Sequence, residues 1–172
     1  MGTNDETSGR RPPPGVVGAE PQVIAQLLKD AAAAMKRDPK SAVATLEEAY
    51  AIADKAGNPG DTAYVAEELA KGWARRKKSA KALYYAVKAT KLAPNERATW
   101  TTFGKTCELV ASRQKRETKP RRVMALYNAA ASGFKKAASM TKDAEDKNFL
   151  LDLAKDAAKQ GKGEVLPPPR QS

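Results

Sequence analysis

Gly104, Lys105 and Thr106 spell GKT, the tail of a phosphate-binding loop, and they are the residues that most invite chemistry. In such a loop, backbone N–H groups converge on phosphate oxygens while the lysine reaches the outer phosphates. That geometry needs a glycine five positions before Gly104 and a buried strand before the loop. The chain has Thr99 and the polar run LAPNERA there. The competing reading sets Trp100, Phe103, Gly104 and Cys107 at helical spacing, with the glycine as a point of close helix approach. The second reading is the expectation carried forward: GKT lies inside a helix and binds no nucleotide.

Other reactive constellations are missing or weak. The chain has no histidine, so it lacks the commonest general base and the usual zinc and iron ligands. Cys107 is the single cysteine and falls where an apolar residue is wanted, so a packing thiol is expected. Glu47-Glu48 and Glu67-Glu68 are adjacent pairs pointing to different helix faces, which reads as solvated surface. Residues 54–61 lack the alternating ligands of a calcium loop. The expectation is a protein without catalysis, cofactor or metal. A lone cysteine forms no intrachain disulfide and suits a reducing compartment. The first twenty residues have no apolar signal core, and no run approaches the roughly 18 apolar residues of a membrane span. MGTNDE fails as a myristoylation start because Glu6 replaces the serine or threonine. A cytoplasmic protein is expected.

The elements that must position these residues are all helical. The 172 residues include 33 alanines and ten aromatics, a composition that favours helices in close contact. Residues 1–20, with GRRPPPGVVGAE, and 161–172, GKGEVLPPPRQS, read as disordered tails with short polyproline segments. Neither PPP run fits the spacing of a ligand for proline-recognising domains. Between the tails, 21–160 reads as one domain of seven helices: 21–36, 39–56, 62–77, 79–93, 97–113, 120–140 and 143–159. Asp38-Pro39 supplies an N-cap and a first-turn proline, Ser79 an N-cap, AGNPGD (56–61) a turn, and Gly161 a stop. No stretch alternates with the two-residue period of a strand.

The helices carry internal similarity. Ala82-x3-Ala86-x2-Ala89-x4-Pro94 is followed by Trp100-x2-Phe103-Gly104-x2-Cys107, and Ala66-x2-Leu69-Ala70-x2-Trp73 shares the second spacing. Ala130-x3-Phe134-x2-Ala137 repeats the first, and Leu46-x3-Tyr50-x2-Ala53 is a weaker copy. This resembles the tetratricopeptide repeat, with its W-x2-L-G-x2-Y and A-x3-F-x2-A-x4-P signature over about 34 residues. The resemblance implies an all-α, right-handed superhelical solenoid of three helical hairpins plus a capping helix. It makes Gly104 and Ala70 the small residues at helix crossings, with Tyr50, Ala86 and Phe134 on the facing helices. It also implies a non-catalytic scaffold with a concave groove, whose face would show Tyr64, Glu67, Lys71 and Arg75, then Thr101, Lys105 and Glu108. Family members that clamp a terminal carboxylate use lysine and asparagine in that groove. The asparagine is missing here, so a chaperone-tail function is not expected.

In such a solenoid the turns within hairpins share one edge. Here they are KRDPK (36–40), RRKKSAK (75–81) and RQKRETKPRR (113–122), with 14 basic residues against Asp38 and Glu117. This edge holds net +12 of a chain whose formal charge is +11, so the remainder is close to neutral. Stacked like charges about 10 Å apart repel and are scarcely screened, which points to a function. The third turn is also expanded: Tyr50 to Ala86 is 36 residues and Ala86 to Phe134 is 48. Beyond Arg75, the edge residues are Arg76, Lys77, Lys78, Lys81, Arg113, Lys115, Arg116, Lys119, Arg121 and Arg122. The leading expectation is an adaptor that holds an acidic partner protein in the groove, along the edge, or both. The alternative is nonspecific, phosphate-dominated nucleic-acid binding, without base stacking because aromatics do not interleave with the cations. An anionic membrane surface and self-association by end-to-end stacking are further readings.

Overall fold

Three prolines stand immediately after a helix-capping position, and each starts a helix. In the computed structural model, which describes residues 20–163, the chain forms α1 (Glu20–Ala34), α2 (Pro39–Ala56), α3 (Pro59–Arg75), α4 (Ser79–Leu92), α5 (Arg97–Ser112), α6 (Pro120–Ser139) and α7 (Ala144–Gly161). Of the expected tails at 1–20 and 161–172, residues 1–19 and 164–172 lie outside the described residues, whereas Glu20 opens α1 and Gly161 ends α7. Asp38 caps α2, its carboxylate accepting the Lys40 and Ser41 N–H groups at 3.1 Å each. Gly57 closes α2 at φ +70, a left-handed conformation that favours glycine.

Local signals misplaced several ends. AGNPGD is less a turn than a boundary: Asn58 caps α3 and Pro59 opens it, so α3 starts three residues before the expected 62. Lys78, not Ser79, occupies the N-cap of α4 and makes no side-chain cap bond. Gly161 does not stop α7 but is its last residue, tucked against Asn128 of α6.

Every described element is a helix, and each packs on its neighbours in sequence; α3 also reaches α5. One apolar cluster joins α1 to α4 around Ile24, Leu46, Val65, Leu69 and Trp73. A second joins α5 to α7 around Cys107, Ala130, Phe134, Leu150 and Ala154. Glycines set the closest crossings. A Cβ on Gly104 would stand 2.8 Å from two carbons of the buried Phe134 ring. A Cβ on Gly133 would meet Phe103 at 2.9 Å and the α5 backbone at 3.2 Å. The expected Gly104–Phe134 contact is therefore present, and Gly133 completes it from the other helix. A third close approach, Gly72 against Val43 at 2.8 Å from a hypothetical Cβ, was not anticipated. No described helix is long and apolar enough to cross a membrane.

Candidate functional site

GKT sits in mid-α5, where Thr106 donates its hydroxyl to the Thr102 carbonyl at 2.7 Å and Gly104 faces Phe134. Its N–H groups belong to a helix, and no loop converges there. Cys107 is 1 % exposed, and burial pushes its thiol pKa up to about 12, so it stays protonated in the core. Among the described residues, no group of histidine, cysteine or carboxylate side chains could hold a metal ion.

Contacts link the basic turns in sequence. Lys36 of the first turn and Arg75 of the second line one cavity. Arg113 of the third turn donates to the Ala74 carbonyl at 2.6 Å, joining it to the second. Arg116 donates to the Gln160 carbonyl, and to its Oε1 at 3.3 Å, tying the third turn to the end of α7. Arg113 and Arg116 therefore satisfy helix C-terminal carbonyls as well as carrying charge. Arg76 and Lys81 lie over the Trp73 ring, 4.7 Å and 4.0 Å from its centroid. This indole is 5 % exposed and covered by cations, so it offers no stacking face for a base. Lys77, Lys78, Lys115, Lys119, Arg121 and Arg122 are exposed, and none is ion-paired to a described residue.

The second and third of these turns break local rules of helix stability. Lys77 adopts φ +58, with its N–H bonded to Ala74 O at 3.0 Å and the Lys78 N–H to Trp73 O at 2.9 Å. These two hydrogen bonds close a Schellman motif at the position that glycine normally fills. Lys78 and Lys119 are the N-caps of α4 and α6, and neither makes a side-chain cap bond. Lys81, Arg121 and Arg122 then place cations beside N-terminal dipoles that favour anions. Of the N-caps at the opposite helix ends, Asn58 and Asp143 make side-chain cap bonds and Glu96 does not.

The groove residues separate into distinct settings. Lys71 and Arg75 border a cavity of about 220 Å³ whose floor is Leu28, Ala31, Met35 and Leu46. Glu68, which the sequence reading left on the solvated surface, lines it and pairs with Lys71 at 2.7 Å. Glu67 faces inward: it is 6 % exposed and accepts the Thr102 hydroxyl at 2.9 Å across the α3–α5 contact. Its reading as solvated surface is corrected, and burial holds its carboxyl above the usual range. Thr101 bonds its own helix at the Arg97 carbonyl, 3.0 Å away, and Lys105 is exposed. Glu108 is half-buried and raised first by burial and then by Asp156 of α7. Tyr64, Thr101, Lys105 and Glu108 do not line the cavity. Its α1 wall was missed, although Leu28, Ala31 and Met35 at helical spacing carried the signal.

Compared with known proteins, the chain matches no protein-family model, no curated protein and no solved structure.

Proposed function

We propose that this chain is a non-catalytic adaptor of tetratricopeptide-like hairpins that binds acidic segments of a partner protein along its basic edge, with the α1–α3 groove taking an apolar side chain. The observation that carries the proposal is that the second and third basic turns put lysine where it costs local stability, at one left-handed position and two N-caps. A non-glycine residue in the left-handed region costs about 1–2 kcal/mol, and each lost N-cap about 1 kcal/mol. Lys77, Lys78 and Lys119 together forgo about 3–4 kcal/mol, a large share of a net stability of about 5–15 kcal/mol. Solubility needs charge on a surface but does not need lysine at those positions. Departures of this kind gather at functional sites. The repeat resemblance is supported by the Gly104–Phe134 crossing and by helices packing on their sequence neighbours.

The ends of α4 and α6 present unbonded N–H groups ringed by cations, a setting suited to carboxylates. The test is titration of a labelled glutamate-rich peptide carrying one leucine. Reversal of Arg75, Arg76, Lys77 and Lys78 to Glu should weaken binding by about tenfold or more, and Lys71→Ala should weaken it less. The reading fails if the peptide does not bind while random duplex DNA does, with a log–log salt slope of about −0.9 per neutralised phosphate and no response to Lys71→Ala. That outcome would favour the nucleic-acid alternative.

A further inference from the structure

The last helix borders a cleft lined by lysines. Leu151, Lys155, Ala158 and Lys159 recur at helical spacing on α7 and, with Lys162 just past its end and Lys135 of α6, line a cleft of about 430 Å³. That volume lies within the range of about 300–1,000 Å³ usual for ligand sites. Every charged residue in the lining is lysine. Asp152 and Asp156 stand three positions before Lys155 and Lys159, a spacing that commonly pairs, yet neither pair forms an ion pair. The ammonium groups are thus left to repel one another over an apolar floor where Leu151 is 41 % exposed. A low-dielectric wall beneath charges of one sign concentrates their field.

From this geometry we infer that the α6–α7 cleft is a binding site for a linear polyphosphate-type anion, separate from the partner groove. The lining contains lysine and no arginine. Lysine binds phosphate oxygens as a freely rotating point charge, and four ammonium groups set along one cleft favour the anion with the densest negative charge. The layout is linear, since Lys155 and Lys162 lie about 10 Å apart along the helix axis. None of the groove lining takes part.

The test measures binding of inorganic polyphosphate, with orthophosphate, polyglutamate of matched charge and anionic lipid vesicles as comparators. The triple variant Lys155→Gln, Lys159→Gln, Lys162→Gln should lose about tenfold or more in polyphosphate affinity, while the edge triple Lys77→Gln, Lys78→Gln, Lys119→Gln should lose about threefold or less. Helix content should match the parent in both. On the unmodified chain, polyphosphate should slow chemical acetylation of Lys135, Lys155, Lys159 and Lys162 more than of Lys77, Lys78 and Lys119. Equal losses in the two triples, or uniform protection of all lysines, would reduce the site to general charge and overturn the inference. Polyglutamate binding as tightly as polyphosphate would overturn the phosphate class, and preference for vesicles would assign the cleft to lipid headgroups. No saturable binding at micromolar protein and near-physiological salt would end it.

Discussion

Replacing Gly104 by alanine sets two known effects against each other. Alanine in a helix interior is favoured over glycine by about 1 kcal/mol. Its Cβ, however, would lie 2.8 Å from Cδ1 and Cε1 and 3.1 Å from Cζ of Phe134. Carbon pairs rest at about 3.5–4.0 Å, so the methyl intrudes by about 0.5–1 Å. The ring is 0 % exposed, and Gly133 on its own helix is pressed against the α5 backbone, so neither can retreat cheaply. Overpacking of this kind costs about 1–3 kcal/mol. The net expectation for Gly104→Ala is a loss of about 1 kcal/mol, or about 2–4 °C in Tm for a chain of this size. Gly104→Leu, with three more carbons, should lose more. In a Phe134→Leu background the obstacle shrinks, and the same Gly104→Ala change should become stabilising as its helix preference is released. The assay is urea and thermal unfolding followed by far-UV circular dichroism on all four members of the cycle. If Gly104→Ala stabilises the parent, or has the same sign in both backgrounds, the close-crossing argument is wrong.

Lys78→Ser and Lys119→Asp should each stabilise by about 0.5–2 kcal/mol by restoring an N-cap, and should weaken acidic-peptide binding, as unfolding midpoints and titrations would show. A gain in stability with unchanged binding would detach the cap penalties from function. Glu67 titrates above its unfolded value, so the folded state holds the extra proton and stability falls as pH rises from the ordinary carboxylate range through the raised folded value. Glu67→Gln can still accept the Thr102 hydroxyl, should be at least as stable as the parent at neutral pH, and should flatten that part of the profile. A less stable variant with the slope intact would count against the burial argument.

The number and approximate extent of the helices were legible in the chain because caps and first-turn prolines act over a few residues, as Asp38-Pro39 shows. Gly104 was legible for a related reason: a glycine at helical spacing among large residues marks a close contact, and its partner Phe134 lay in the matching repeat. The net charge of the three turns was likewise a matter of counting. Position across helices was not legible, since it depends on which face each helix buries. Glu67 and Glu68 are neighbours, yet one enters the α3–α5 contact and the other borders the groove, a difference of one residue's rotation about the helix axis. Sequence composition could not say that Arg113 and Arg116 would serve distant carbonyls, because those partners lie 39 and 44 residues away. Nor could it foresee that Lys77 would take the left-handed conformation, which the Schellman closure of α3 imposes on whatever residue stands there. The lysine cleft needed α6 beside α7 before Lys135 could join the row from Lys155 to Lys162. Local chemistry determined where the helices are and how much charge the turns carry, whereas packing decided which of those charges hold the fold and which stay exposed.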